Sequence, residues 1–253
     1  MRFCLIGYPL RHTLSDKIHE SLFKASGRDF VYKIYEVKNL DKQIKNLRDY
    51  NGFNITSPYK TEIIKYLDDI DEVARRCNSV NTVLNKNKKL IGYNTDIIGF
   101  ENSLKFHNID IFKKNYKVCI IGFGGVARTI LYYFLNNNIN NINIFIRNIS
   151  EQKINLIKNY NKNILVEDIN KIKNYNLDYD LLINATPVGA FPDIKNSILT
   201  SEVLKNIDCI YDLIYNPLVT ELMKQGIKAG CRVFNGENML MWQAIEAQKR
   251  WFS

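Results

Sequence analysis

The sequence predicts an α/β fold with largely parallel strands, laid out in two successive halves, the second of the dinucleotide-binding kind. Two observations carry this expectation. Short β-branched runs alternate with longer helical patterns, which is how βαβ units look in sequence. In the second half one such run, residues 117–121, enters Gly122-Phe123-Gly124-Gly125 and then a helical pattern. In that context glycines let the backbone approach a pyrophosphate. The 253 residues suffice for one large domain or two smaller ones, with a core that needs no disulfide or metal staple.

In chain order, the first half opens with a strand at residues 2–6, a helix at 16–26, a strand at 31–37, a helix capped by Asn39 and a strand at 52–55. Ser57-Pro58 then supplies an N-cap followed by proline at the first helical position, predicting a helix through Leu67. A hairpin follows, residues 80–84 and 90–93 around a polar turn. Thr95-Asp96 opens a helix running to about His107. The second half begins with the strand at 117–121 and a helix at 126–135. A strand at 142–146 then ends at Arg147, and further strands are expected at 181–184 and 209–213. The stretch 237–251 is helical in pattern. No repeat and no Pro/Gly/Ser linker separates the halves, so helices are expected to join them, with the active-site cleft between.

Composition excludes several classes. The chain is 46% hydrophobic and 24% charged, yet no apolar run approaches the roughly eighteen residues of a membrane span. The apolar run at residues 3–6 is far too short for a signal-peptide core, so a cytoplasmic location is expected. Five cysteines, odd in number and without a C-x-x-C pair, sit mostly in apolar runs and suggest buried, reduced thiols. The net charge of +9 is spread over scattered lysines with no basic block, which argues against nucleic acid and favours an anionic small molecule or phosphate-bearing cofactor. His12, His19 and His107 lack ligand spacing, so no metal is expected and each is assigned to a surface or capping position. The length leaves no room for a second catalytic domain, so a stand-alone monomer or homodimer is expected.

Gly122-x-Gly124-x-x-Ala127 follows a strand and opens a helix, whose N-terminus offers unpaired N–H groups to a phosphate. Where an NAD site usually places an acid at the end of the next strand, this chain has Arg147. An arginine pairs with a 2′-phosphate, so NADP is the expected cofactor. Glu151, one turn on, would oppose a phosphate if it faced one.

In the first half, Lys60 falls in the expected first helical turn after Ser57-Pro58, where the helix dipole disfavours a cation. Asn78-Ser79-Val80-Asn81-Thr82 and Gly92-Tyr93-Asn94-Thr95-Asp96 are further polar clusters beside apolar runs. Asp96 is either a helix-capping acid or a partner for Lys60. A carboxylate beside it would hold the ammonium charged and oriented, ready to protonate an alkoxide as hydride arrives at a carbonyl.

Eight motifs in order carry a family resemblance. They are His12-Thr13-Leu14-Ser15, Asn54 through Lys60, Val80-Asn81-Thr82, Asn94-Thr95-Asp96, the Gly122 loop, Asn184-Ala185-Thr186-Pro187, Tyr211-Asp212-Leu213-Ile214-Tyr215 and Met239-Leu240-Met241-Trp242-Gln243. Over essentially its whole length the chain resembles the shikimate dehydrogenase family. The resemblance implies an N-terminal α/β substrate domain, residues 1–96, completed by the C-terminal helix, residues 237–253, and a Rossmann-like NADP-binding domain, residues 97–236. It implies reversible reduction of 3-dehydroshikimate to shikimate with NADPH, in aromatic amino-acid biosynthesis. Lys60 and Asp96 match the family's catalytic pair. Thr13, Ser15, Thr56, Asn81, Tyr215 and Gln243 match substrate positions, hydroxyls and amides suited to a carboxylate and three ring hydroxyls. For the cofactor, Gly122, Gly124, Gly125, Val126 and Ala127 match the pyrophosphate loop and Arg147 the 2′-phosphate site. Thr186, Leu213 and Gly236 match the nicotinamide end.

The chain also departs from the family pattern. Thr13 replaces the usual first Ser and Asp16 the usual Pro, and Asp16 is assigned to capping the next helix. Ile97 and Asn238 stand where glycine is common, and Glu151 where a second arginine can occur. The competing expectations are a quinate/shikimate dehydrogenase that tolerates NAD, and a non-catalytic cofactor-binding regulator on the same fold.

Overall fold

The computed structural model describes residues 1–10, 13–174 and 177–253. Its elements run β1 (Arg2–Gly7), α1 (Ser15–Ala25), β2 (Val31–Glu36), α2 (Leu40–Leu47), β3 (Gly52–Ile55), a 3₁₀ segment (Glu62–Tyr66), β4 (Asp69–Ile70), α3 (Glu72–Cys77), β5 (Thr82–Lys86), β6 (Lys89–Tyr93) and α4 (Asp96–Phe106). They continue with β7 (Lys117–Ile121), α5 (Gly125–Asn136), β8 (Asn141–Ile146), α6 (Glu151–Lys158), β9 (Leu165–Asp168), a second 3₁₀ segment (Ile169–Asn174), β10 (Asp178–Asn184), β11 (Asn206–Asp212), α7 (Glu221–Ala229), β12 (Arg232–Phe234) and α8 (Glu237–Trp251). The chain forms two compact units, Met1–Ser103 with Met239–Ser253, and Leu104–Asn238.

The first unit carries a six-stranded sheet in the order β2-β1-β3-β5-β6-β4. Side chains alternate along β1. Phe3 and Leu5 enter a core shared with Phe23 of α1 and Ala247 and Trp251 of α8, while Cys4 and Ile6 enter another shared with Leu40 and Leu47 of α2. The sheet is mixed rather than largely parallel. β5 runs antiparallel to both β3 and β6 because a hairpin is spliced in beside β3. Its two-residue turn, Asn87 and Lys88, has φ of 54° and 66°, as a turn matching strand twist requires. Trp251 stacks on Phe3 with centroids 4.5 Å apart and donates from Nε1 to the Val83 carbonyl at 2.9 Å. Burying a side chain of this size contributes about 1.5–3 kcal/mol.

The second unit is an all-parallel sheet, β12-β11-β10-β7-β8-β9. Its order reverses between β7 and β10, the switch point at which α/β sheets bind ligands beyond their strand ends. Residues 118–121 of β7 are all buried, as a strand covered on both faces demands.

Three local expectations fail. No α-helix follows Ser57-Pro58: residues 58–60 form a turn, and only the short 3₁₀ segment succeeds it. The Tyr59 N–H returns to the Thr56 carbonyl at 3.0 Å, and the buried Tyr59 hydroxyl donates to the Val37 carbonyl at 2.7 Å, so tertiary packing overrides the local start signal. Asp16 does not cap α1. Leu14 holds the N-cap position and Asp16 lies in the first turn, its Oδ1 buried with no hydrogen-bond partner among the described residues. His19 is neither at the surface nor a cap. His12 lies outside the described residues.

His19 has no exposed surface, and its ring stacks on Tyr32 at 4.3 Å. Gln248 Nε2 donates to the His19 carbonyl at 3.1 Å. Desolvation pushes the imidazole down to about 3. The unfolded chain takes up this proton near pH 6.5 and the folded chain only near 3, so stability falls as pH falls between those values, by about 1.4 kcal/mol per pH unit. His19→Gln should remove that loss. In urea titrations at pH 7 and pH 4.5, the difference in unfolding free energy should move in the variant's favour by roughly 2–3 kcal/mol. An unchanged difference would mean that the folded protein protonates His19 freely.

Candidate active site

In the first unit the site grows from the carboxyl end of β3. The Thr56 N–H donates to the Ile6 carbonyl at 2.9 Å and the Val80 N–H to the Lys60 carbonyl at 2.7 Å, so the turn bearing Lys60 is fixed at both ends. Asp96 is the first residue of α4, where the helix dipole favours a negative charge. Lys60 Nζ donates to Asp96 Oδ2 at 2.6 Å, with side chains only 13% and 7% exposed. The expected dipole penalty on Lys60 lapses, since no α-helix starts beneath it. The Asp96 carboxylate is what holds the ammonium. Breaking such a buried pair by deleting one partner costs about 3–5 kcal/mol.

Asn81 orders the surroundings. Its Oδ1 accepts the Thr95 backbone N–H at 2.7 Å, and because that group can only donate, the amide is oriented unambiguously. Nδ2 then faces Asp96 Oδ1 at 2.9 Å, Thr95 Oγ1 at 2.9 Å and, more loosely, Gln243 Oε1 at 3.4 Å. Gln243 is steadied by its own Nε2 donating to the Leu240 carbonyl at 2.8 Å. Behind Asn81 the chain of contacts continues inward. Tyr32 OH donates to Asn54 Oδ1 at 2.8 Å, Asn54 Nδ2 to Thr82 Oγ1 at 2.9 Å, and Thr82 and Thr95 hydroxyls lie 3.1 Å apart. Sequence reasoning assigns no individual role to Tyr32, Asn54, Thr82 or Thr95. The available signal is a polar residue inside or at the end of an apolar strand run, as Asn54 stands between Phe53 and Ile55.

The structure thus brings Lys60, Asn81, Asp96 and Gln243 into one buried cluster. Thr13 and Ser15 form a second small group at the start of α1, their hydroxyls 3.0 Å apart. Thr56 follows β3 directly. Tyr215 belongs to the second unit, two residues past Leu213.

In the second unit, the Gly122 loop leaves β7 and enters α5. Gly122 has φ +99°, and a Cβ there would lie 3.0 Å from the Ala185 carbonyl oxygen and from Thr186 Cγ2. Gly236 is constrained by contact instead: a Cβ would fall 2.1 Å from the Leu213 carbonyl oxygen. Gly124, by contrast, faces open space, with nothing within 4 Å of where a Cβ would stand, and no side chain caps α5. The first N–H groups of α5, among them those of Val126 and Ala127, have no carbonyl partner within their own helix and stand beside an open cradle, which fits a dinucleotide pyrophosphate. Arg147 is exposed just past β8. Its turn is tied down by Lys153 Nζ, which donates to the Arg147 and Asn148 carbonyls at 3.1 and 2.8 Å. Asn238 Nδ2 lies 3.2 Å from His107 Nε2, and that ring stacks on Phe234.

Among the described residues no group of three His, Cys, Asp or Glu side chains is placed to hold a metal, and no helix is long and apolar enough to cross a membrane. All five thiols are buried; burial raises Cys4 and Cys119 well above the ordinary thiol range, raises Cys209 to about 12, and also raises Cys231. They are poor nucleophiles.

Two family models match the chain: the shikimate dehydrogenase substrate binding domain over residues 5–83 and shikimate/quinate 5-dehydrogenase over residues 107–208. A shikimate dehydrogenase (NADP(+)) of Clostridium botulinum is 40% identical, the match covering 98% of this chain and 95% of that protein. Among solved structures, shikimate dehydrogenase 1 from Peptoclostridium difficile is 33% identical with a TM-score of 0.91, covering 99% of this chain and 91% of that one. The Thermus thermophilus shikimate 5-dehydrogenase, in complex with NADP(H) and shikimate, is 28% identical with a TM-score of 0.85, covering 99% and 93%. Fold and relatives agree, and the chain belongs to the shikimate dehydrogenase family.

Proposed function

We propose that this chain catalyses the reversible, NADPH-dependent reduction of 3-dehydroshikimate to shikimate. The observation that carries this reading is the buried Lys60–Asp96 pair, 2.6 Å between Nζ and Oδ2, set among neutral amides and hydroxyls. Residues 1–96 with 237–253 take the substrate and residues 97–236 the cofactor. When bound, reduced nicotinamide supplies the hydride. Lys60 Nζ gives a proton to the substrate oxygen as the carbonyl becomes an alcohol, and recovers one from solvent. Asp96 keeps the ammonium aimed at that oxygen, and Asn81 keeps Asp96 in place through its second oxygen.

The Nδ2 group of Asn81 has two hydrogens and three acceptors, so its 3.4 Å contact to Gln243 is the one a ring hydroxyl would displace. Gln243 and Thr56 complete the grip on the ring, and Thr13 and Ser15 hold the carboxylate. On the cofactor side, the backbone from Gly122 through Gly124, Gly125 and Val126 to Ala127 takes the pyrophosphate and Arg147 the 2′-phosphate. Thr186, Leu213 and Gly236 border the nicotinamide end. A second reading, with NAD also accepted, is favoured by the exposed Glu151 at the start of α6.

Absorbance of reduced nicotinamide tests the reaction. Purified protein with shikimate and NADP should give a rising trace, and Lys60→Ala, checked for folding, should lower kcat by about 10²–10⁴. A flat trace from folded wild-type protein would remove the enzymatic reading. Arg147→Leu should cut the preference for NADP over NAD by roughly ten- to a hundredfold, the worth of a charge-assisted contact. Equal turnover with both cofactors in the wild type would assign Arg147 no part in selection.

A further inference from the structure

We propose that Asp212 is a positioning residue for cofactor binding, its carboxylate holding in register the two loops that border the nicotinamide end. The inference rests on the assignment of Thr186, Leu213 and Gly236 made above.

Asp212 is the last residue of β11 and has no exposed surface. Its Oδ1 accepts from Asn184 Nδ2 at 3.0 Å and from the Ile214 N–H at 3.1 Å, and its Oδ2 accepts from the Thr220 hydroxyl at 2.7 Å. Each donor leads to a different element. Asn184 ends β10, and its Oδ1 accepts both the N–H and the hydroxyl of Thr186, at 3.0 and 2.7 Å. The Thr186 N–H can only donate, so the Asn184 amide must turn its Nδ2 toward Asp212. Thr186 Oγ1 in turn accepts the Val188 N–H at 3.2 Å. The Ile214 N–H belongs to the loop that carries Leu213, whose own N–H donates to the Asn184 carbonyl at 3.1 Å. Thr220 caps α7 by accepting the Met223 N–H at 3.2 Å while it donates to Asp212.

The network ends on the glycines of the cofactor site. Ala185 and Thr186 are the groups that a Cβ at Gly122 would meet, and Leu213 is the group that a Cβ at Gly236 would meet. The Gly236 N–H also donates to the Ile214 carbonyl at 3.0 Å. One carboxylate therefore stands behind Thr186, Leu213, Gly122 and Gly236 together. Its location is electrostatically expensive, since burial pushes the Asp212 carboxyl up to about 6, against three neutral donors that pull it down. An apolar residue would avoid that cost, would leave the Ile214 N–H and the Thr220 hydroxyl without an acceptor, and would leave Asn184 Nδ2 only its long 3.5 Å contact to the Val188 carbonyl.

The test measures binding of each ligand separately, by NADPH fluorescence and by calorimetry with shikimate. Asp212→Ala should weaken NADPH binding tenfold or more, a larger loss than any in shikimate affinity. Asp212→Asn should stay within about threefold of wild type for NADPH. Its Oδ1 can still accept from Asn184 and Ile214, and its Nδ2 can donate to a Thr220 hydroxyl turned round as acceptor. Asn184→Ala, which severs Thr186 from Asp212, should weaken NADPH as Asp212→Ala does, and it decides the matter if Asp212→Ala does not fold. A lowered melting temperature with unchanged NADPH affinity in both alanine variants would overturn the proposal, leaving Asp212 a purely structural residue. Thr186→Trp separates the two levels of argument. If it leaves NADPH binding intact, the assignment of this loop fails and the proposal with it. If it weakens binding while Asp212→Ala and Asn184→Ala do not, only the proposal fails.

Discussion

Where a strand ends, its backbone loses the neighbour it was paired with while the next residues still turn inside the fold. Buried N–H groups at such points need an acceptor. This chain answers with short polar side chains at or beside strand ends. Asn81 accepts the Thr95 N–H, Asn184 the Thr186 N–H and Asp212 the Ile214 N–H. All three acceptors are almost wholly buried. Because a backbone N–H can only donate, each bond also fixes which way its side chain faces, and the remaining polar atoms become directed donors or acceptors. The Lys60–Asp96 pair and the loops around Thr186 and Leu213 both stand on this device.

The elements legible in the sequence are those whose local and tertiary preferences coincide. β3 at Gly52–Ile55, β7 at Lys117–Ile121 and α8 at Glu237–Trp251 occupy the residues their patterns indicate, and Asn39 caps α2 by accepting the Lys42 N–H at 3.1 Å. The failures have the opposite character. Ser57-Pro58 is a sound helix start by local rules, yet the Tyr59 side chain is drawn into the core beside Val37. His19 reads as a surface histidine because nothing in its neighbours shows that Tyr32 and Gln248 enclose it. The two-residue β4 is too short to show any periodicity.

Of the candidate site, the pairing of Lys60 with Asp96 across 36 residues is legible as an electrostatic option and through family resemblance, and not from spacing. The supporting residues are harder to see. Tyr32, Thr82 and Asp212 lie within strands rich in apolar neighbours, where a single polar side chain carries no periodic signal. Their roles exist only in three dimensions, as links between residues far apart in sequence. The cofactor loop is the most legible part, because a strand, two glycines and a helix start are contiguous.

The seating of Trp251 against Phe3 and the Val83 carbonyl has a consequence for the order in which the protein is made. The first compact unit takes its last fifteen residues, Met239–Ser253, from beyond the whole of the second. At about 5–20 residues per second, synthesis of the intervening 135 residues (104 to 238 inclusive) takes roughly 7–27 s. By the end of that interval the stretch Leu104–Asn238 has every strand of its own sheet, whereas the earlier segment still lacks the indole that closes its aromatic core. On the ribosome, the part synthesised first is therefore the part completed last.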